Sequence, residues 1–560
     1  MLLIAIERVQ DALVLAMEAA IRKGLKNVFF VSLDAANIDA FFADDEIDLL
    51  KPHIMFLRSK GYDPVTVNNG RDALELVASQ HFDLVILDEN MPGLTGLETL
   101  QRIKEMSPQT PVIMITKSEE ENIMDQAVGN NIADYLIKPV NPNQILMSIK
   151  KNLHSEKLVS QTATSSYQQE FGHLGMLINS AADIDSYYTL YEKLVAWELR
   201  LASADSNMAD MLKMQKAEAD AAFFKFVRRN YEDWVESIPS LKGAAKADAT
   251  DRPLMSPEVF PKKVMPLLDA GEKVFFVLID NFRLDLWLSV KPILAEYFTF
   301  DESLYTSILP TATQYARNSI FSGLMPIDIA RMFPHLWVDE DEEEGKNLNE
   351  SELVETLFKR YRRNCRFSYN KINDSAGGEK LLREFSNLAN NDLNIIVLNF
   401  IDMLSHARTE SRMIRELAGS DAAYRSLAES WFRHSSALEL FRRIAESGAK
   451  VIVTTDHGTI RVDNPVKVVG DKNTNTNLRY KVGKNLAYNN RQVYEIKKPE
   501  AFGLPAPNIS SAYIFAGNND FFAYPNNYNY YVQYYTGTFQ HGGISLEEML
   551  IPLVTLTPKS

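Results

Sequence analysis

Seven side chains able to ligate a metal or act as a nucleophile fall in order along the C-terminal half. They are Asp280, Thr313, Asp402 with His406, Asp456 with His457, and a distant His541. Carboxylate and imidazole ligands together suit Zn²⁺ or Mn²⁺ before Mg²⁺ or Ca²⁺. Two such ions roughly 4 Å apart can clamp both the attacking and the leaving oxygen of an in-line phosphoryl displacement. A hydroxyl held by one of them becomes a nucleophile because the ion lowers its pKa. A second set lies near the N-terminus: Asp44, Asp45, Asp88, Thr116 and Lys138. Its three carboxylates would repel one another without a cation, and an all-oxygen ligand set suits Mg²⁺.

Elements that end at the right places must deliver these residues. Between Ile38 and about Asn152, short apolar runs alternate with helical ones. The predicted strands are Ile38–Phe42, Val65–Val67, Asp83–Leu87, Pro111–Ile115 and Tyr135–Ile137, with helices such as Asp48–Ser59 and Arg71–Ser79 between them. Alternating β and α units imply a parallel, doubly wound sheet, in which ligands bind beyond the carboxyl ends of the strands. Asp44 and Asp45, Asp88, Thr116 and Lys138 all follow such ends. Asp39 in the first run is at odds with a strand buried on both faces.

Residues 157–250 carry long helical stretches, Ile184–Ala202 and Ser206–Ser237 among them, and predict a helical bundle. Gly243–Pro257 reads as a linker. A second α/β region opens with the apolar run Lys273–Ile279, which delivers Asp280. Later strands Asn394–Phe400 and Lys450–Thr454 deliver Asp402 and Asp456-His457-Gly458. His406 follows Asp402 by four residues, so one helical turn presents both on the same face. Thr313 is expected at a helix N-terminus, where an alkoxide or bound anion is favoured.

The bulk numbers set outer limits. At 560 residues the chain exceeds one core, and 46% hydrophobic with 24% charged residues is ordinary for globular domains. A net charge of −15 excludes broad binding to duplex DNA, and no helix-turn-helix pattern is present. Cys365 is the single cysteine, so no internal disulfide can form, which fits a reducing compartment such as the bacterial cytoplasm. Residues 1–37 stand apart as an atypical N-terminal extension. They are read as an amphipathic helix, or as an upstream start that the cell does not use. Glu7, Arg8, Asp11 and Glu18 interrupt its apolar stretch, so membrane insertion is not expected.

The N-terminal constellation closely resembles the response-regulator receiver domain over residues 38–152. The resemblance implies a flavodoxin-like fold and phosphorylation of Asp88 by a sensor histidine kinase. Asp45, Asp88 and the carbonyl of Asn90 would hold Mg²⁺, with Asp44 assisting. Lys138 would pair with the phosphoryl oxygens ahead of a cis bond to Pro139, and Thr116 and Tyr135 would be switch residues.

Residues 258–560 resemble the PglZ-type branch of the alkaline phosphatase superfamily, an α/β sandwich. The segment TQYARNSIFSG (Thr313–Gly323) matches the length of that superfamily's nucleophile segment. By that resemblance one zinc takes Asp280, Thr313, Asp456 and His457, and the other Asp402, His406 and His541. Thr313 is the nucleophile, with Thr311 a weaker candidate. Sulfatases of the superfamily carry a modified cysteine at this position, so threonine argues for phosphate chemistry. A monoesterase adds an Arg or a third cation for the extra charge. Arg317 is the candidate phosphate contact, and a phosphodiester is the favoured substrate.

The whole order, α/β multidomain with a helical connector at 157–250, resembles response regulators tied to type IX secretion in the Bacteroidetes. That implies a cytoplasmic protein, phosphorylation-dependent homodimerisation and hydrolysis of cyclic or short linear oligonucleotides. It also implies contact with secretion machinery or a transcription factor. The alternative is a phosphorylation-controlled scaffold whose metal site is mainly structural.

Two features bear on substrate. Arg479, Lys481 and Lys484 lie in the polar stretch Asn473–Lys484 and would either clamp phosphates or decorate a surface hairpin. Tyr524, Tyr528, Tyr530, Tyr531, Tyr534 and Tyr535 fit a packed sheet better than a base-stacking platform. The acidic run Asp339–Glu344 is read as a solvated loop. His53, His81, His154, His173, His335 and His434 are left as structural residues.

Overall fold

The alternating apolar runs of the N-terminal region become strands β3 (Ala40–Ala43), β4 (Val65–Val67), β5 (Leu84–Asp88), β6 (Val112–Thr116) and β7 (Asp134–Ile137), after β1 (Leu2–Ala5) and β2 (Val28–Val31). The computed structural model describes residues 2–5, 28–31, 40–46, 50–62, 64–80, 82–107, 110–117, 132–202, 206–238, 252–339, 347–410, 420–471, 474–508 and 510–559. By contact the chain divides into two units, 1–162 and 163–560.

In the first unit the sheet order is β4-β3-β5-β6-β7, all parallel. This is the expected flavodoxin-like sheet. Both β5 and β6 are buried at every residue, as a parallel strand covered on two faces must be. The first strand starts at Ala40, so Asp39 falls before it and outside the described residues. Leu2–Ala5, expected within an amphipathic helix, instead pairs in parallel with Val28–Val31. The remainder of that expected helix lies outside the described residues, as does most of the acidic run.

The next helix is Pro142–Ser180. Helices Ile184–Arg200 and Ser206–Glu236 follow, the first capped by the Asp183 side chain on Ser186 N. Their buried Tyr187, Tyr191, Phe223 and Tyr231 join one hydrophobic core with the strands of the α/β region. The end of the expected linker is also part of this core. Met255 and Ser256 are fully buried, and Met255 bridges Thr306.

Six further strands build the main sheet: β8 (Val274–Ile279), β9 (Phe298–Thr306), β10 (Phe367–Ile372), β11 (Leu393–Leu398), β12 (Lys450–Thr454) and, after an excursion, β20 (Leu550–Pro558). Their order is β10-β11-β8-β12-β20-β9. The first four are mutually parallel, while β20 runs antiparallel to both β12 and β9. Consequently β9 points the same way as β12. The carboxyl ends of β8, β9, β11 and β12 and the amino end of β20 therefore share one edge. Between β12 and β20 lie small sheets from β13 (Ile460–Arg461), β14 (Asn464–Lys467), β15 (Tyr480–Gly483), β16 (Val493–Ile496), β17 (Ala512–Ala516), β18 (Asp520–Ala523) and β19 (Phe539–Gln540). No helix among the described residues is long and apolar enough to cross a membrane.

Candidate active site and phosphoacceptor pocket

Asp280 follows β8 directly, and Asp456 and His457 follow β12 after Thr455. All three are buried, and one ligand atom from each lies within 4.8 Å of the others. Asp402 and His406 project from the Phe400–Glu410 helix after β11, and with His541 they form a second group of the same tightness. The groups meet where the imidazoles of His457 and His541 stack, centroids 4.1 Å apart and planes 12° apart. His406 is exposed and the Asp280 group is not, so the site opens on the Asp402 side. Thr313 begins the Thr313–Ser322 helix, and its hydroxyl oxygen lies 3.0 Å from Nε2 of His457.

Hydrogen bonds on the far nitrogens set both rings. Nδ1 of His541 is 3.1 Å from the Thr311 carbonyl, and Nδ1 of His457 is 3.2 Å from the Gly458 carbonyl. Carbonyls only accept, so each ring donates from Nδ1 and presents the Nε2 lone pair. Burial, followed by the neighbouring His457, pushes His541 down to about 3, which keeps it a neutral donor. Thr311 Oγ1 already donates to Gly543 O and accepts from Gly542 N, so its hydroxyl is fully engaged.

The donor set passes a direct test for a metal. Asp280 Oδ1 and Asp402 Oδ1 are buried without a hydrogen-bond partner, one in each group. Buried carboxylate oxygens are costly unless paired or bound to a cation. Burial, the largest influence, raises Asp280 well above the usual carboxylate range, and the nearby Asp456 and Asp402 charges add to it.

In the first unit, Asp44, Asp45 and Asp88 likewise lie with ligand atoms within 4.8 Å. Asp44 and Asp88 are buried, and Asp45 is exposed. The Lys138 Nζ is 2.8 Å from Asp44 Oδ2 and 3.2 Å from Asp88 Oδ1. Its bond to Pro139 is cis. Thr116 ends β6 fully buried, Tyr135 is half-buried in β7, and Asn90 stands two residues beyond Asp88. Burial, then the Asp44 charge, raises the Asp88 carboxyl, while Lys138 opposes both.

With this geometry established, similarity to known proteins assigns the parts. Residues 259–556, more than half the chain, match the BREX system PglZ alkaline phosphatase-like domain. The chain belongs to the PglZ alkaline phosphatase-like family. Residues 40–150 match the response regulator receiver domain, and residues 157–235 the PorX response regulator linker domain. Among curated proteins, ZraR of Escherichia coli K12, a transcriptional regulatory protein, is 34% identical over 140 residues, covering 25% of this chain and 32% of that protein. PhoP of Bacillus subtilis, an alkaline phosphatase synthesis regulator, is 25% identical over 158 residues, covering 28% of this chain and 64% of that one. The chain thus spans about a third of the length of ZraR. The solved chemotaxis protein CheY4 of Vibrio cholerae is 28% identical, with 21% of this chain and all of that one covered at a TM-score of 0.20.

Several expectations for the PglZ domain need correction. Arg317 does not face a substrate; it is 1% exposed. Its guanidinium pairs with Asp280, with Asp456 at 2.9 Å and with Glu350 at 3.4 Å, beneath the site. Buried carboxylates side by side need a counter-charge, and its planar fork reaches several at once. Burial alone would raise Asp456, but Arg317 and His457 outweigh it and hold that carboxyl below its usual range.

Arg479 is fully buried, bonded to both oxygens of Glu548 and to the carbonyls of Gly517 and Asp520. Lys481 is buried too, donating to Asn475 O and lying 4.6 Å over the Tyr524 ring. Neither is a phosphate clamp; of the three, Lys484 alone stays partly exposed. Tyr528, Tyr530, Tyr531, Tyr534 and Tyr535 form a helix, Tyr528–Tyr535, instead of a packed strand, and Tyr524 lies outside it after β18. Their spacing also fits i,i+4 neighbours, and Tyr530 stacks on Tyr534 and Tyr531 on Tyr535.

Sequence reasoning missed Asn281. It sits at φ 62°, a left-handed conformation that asparagine tolerates, and its amide donates to Ser405 Oγ at 2.8 Å. That bond ties the Asp280 strand end to the helix carrying Asp402 and His406. The local signal is weak: an Asn directly after a strand-end Asp.

Proposed function

We propose that this chain is a PorX-type two-component response regulator whose PglZ domain is a zinc-dependent phosphodiesterase. In this reading residues 38–152 receive a phosphoryl group on Asp88 from a sensor histidine kinase. Residues 157–250 connect, and residues 258–560 hydrolyse a cyclic or short linear oligonucleotide in the cytoplasm, regulating type IX secretion. The observation that carries the reading is the pair of ligand groups joined by stacked His457 and His541, with the Thr313 hydroxyl 3.0 Å from His457.

Two divalent ions, when bound, would neutralise the carboxylates, acidify a hydroxyl and balance charge on the phosphoryl oxygens. Asp280, Asp456 and His457 would hold one beside Thr313, and Asp402, His406 and His541 the other. Thr313 Oγ1 would lose its proton as it bonds to phosphorus, and the displaced alkoxide would leave protonated. Water would then cleave the threonyl ester and restore the hydroxyl. The helix N-terminus at Thr313 favours negative charge at this oxygen throughout.

The experiment is metal analysis together with hydrolysis of a chromogenic phosphodiester and the matching monoester, for wild type and Thr313→Ala. About two zinc ions per chain are expected, with diesterase activity lost on the order of a thousandfold or more in the variant. Undiminished activity in Thr313→Ala would remove it as nucleophile.

One observation favours a second reading, a phosphorylation-controlled scaffold. Asp280, Asp456 and His457 are all buried, so an ion among them would tie the ends of β8 and β12 together as a structural metal does. Bound zinc with no hydrolysis of either ester would favour that reading.

A further inference from the structure

The segments that carry Thr313 and His541 are not held by the main sheet alone. Residues Ser307–Ala312 and His541–Ser545 are irregular, and buried backbone N–H groups in such stretches must find partners outside a strand ladder. One connector helix, Ser206–Glu236, supplies a partner to Leu309 in the first stretch and another to Leu546, directly after the second. The Tyr231 hydroxyl accepts from Leu309 N at 2.7 Å, four residues before Thr313. The Asp220 Oδ1 accepts from Leu546 N at 2.8 Å, five residues after His541. Both side chains are buried, and Tyr231 is wedged between Phe502 and Trp234.

Neighbouring bonds join the same segments to the connector. Lys216 bridges Glu198 at 2.6 Å and Glu547 at 3.0 Å. The Tyr188 hydroxyl lies 2.9 Å from Thr306 Oγ1, at the end of β9. Glu198 also pairs with Arg425, which reaches Asp285, the partner of Arg283. Arg283 in turn donates to the carbonyl of Thr459, two residues beyond His457. Every loop that supplies a histidine of the stacked pair, or the nucleophile, is therefore tied to the connector.

We infer that Asp220 and Tyr231 are positioning residues for the PglZ site, so the connector helix is part of its scaffold. This rests on the phosphodiesterase reading. A displacement of the helix by about 1 Å would carry Thr313 and His541 out of register, enough to cost about a hundredfold in rate. The Asp220 carboxyl is also raised well above its usual range, by burial first and then by the Glu547 charge. Asparagine keeps an acceptor oxygen for Leu546 N and so preserves this bond.

The test uses the full chain with Asp220→Ala, Asp220→Asn and Tyr231→Phe. Cobalt(II) binding is followed by its visible absorption, alongside kcat and KM for a chromogenic phosphodiester and thermal unfolding. Asp220→Ala is expected to weaken cobalt binding and lower kcat, each by about tenfold, as for loss of one buried hydrogen bond. Asp220→Asn should stay within about twofold of wild type. Tyr231→Phe should lower kcat about tenfold with KM and cobalt affinity unchanged. Asp220→Ala matching wild type, or Asp220→Asn failing equally, would overturn the inference. Wild type that binds cobalt yet hydrolyses neither ester would sink the phosphodiesterase reading alone. A cobalt defect confined to Asp220→Ala would then still support positioning. Wild type that binds no cobalt would overturn both.

Discussion

The most exacting residue in the PglZ domain is Arg317, because one guanidinium answers Asp280, Asp456 and Glu350 together. Glu350 is itself held by Tyr369 and by Lys371 at 3.0 Å, so the network extends below the site. Removing one partner of a buried ion pair strands the others, at a cost of about 3–5 kcal/mol. Arg317→Met should therefore destabilise the metal-free protein by about that amount. Urea unfolding followed by tryptophan fluorescence reads it out cleanly, since Trp197, Trp234, Trp287, Trp337 and Trp431 all lie in the second unit. Added zinc should narrow the difference, because a bound cation replaces the lost charge. Equal stability of the two proteins without metal would refute a counter-charge role.

Among the elements, the turn leaving β12 is the most tightly fitted. A Cβ on Gly458 would strike the backbone carbonyl of Glu547, just before β20, and would meet Arg283 Cγ at 3.2 Å. Glycine is required there because two backbones touch directly behind His457. Gly458→Ala should cost about 1–3 kcal/mol by overpacking and should weaken zinc binding as His457 shifts. Gly448 makes the control: at φ 73° with open space around its Cβ direction, alanine strains the backbone there without touching the site. Thermal unfolding and a zinc-chelator competition on both variants would compare them. Wild-type zinc affinity in Gly458→Ala would show that the turn has room to give.

For the whole molecule, the receiver and the PglZ domain carry separate ligand sets, so they should be separable by mutation. Asp88→Ala removes the proposed phosphoacceptor and leaves all seven proposed PglZ-site residues in place. Phosphorylation adds charge and acceptor oxygens that bias a switch between two arrangements. Wild type treated with a small-molecule phosphoryl donor should dimerise, measured by light scattering after gel filtration. Asp88→Ala should stay as it was before treatment, with unchanged zinc content. Dimerisation of the variant to the wild-type extent would refute Asp88 as the trigger.

Much of this protein could be read from local sequence. Each receiver pocket residue directly follows a short apolar run, and in a parallel sheet such ends converge whatever the rest of the chain does. The same logic brought Asp280, Asp402 and Asp456 together, and the four-residue step from Asp402 to His406 placed both on one helical face. What the tertiary structure alone decided depends on pairing across long separations, which leaves no local periodicity. Antiparallel β20 enters between β12 and β9, with His541 stacked on His457 and the Thr313 hydroxyl beside His457. Arg317 and Arg479 look like surface cations by residue type, yet each is buried because acceptors distant in sequence meet it: three carboxylates for Arg317, and Glu548 with two carbonyls for Arg479. The tyrosine run satisfied strand and helix spacing alike. Only its tertiary setting settled on a helix, where stacked rings and an exposed face replace a sheet partner.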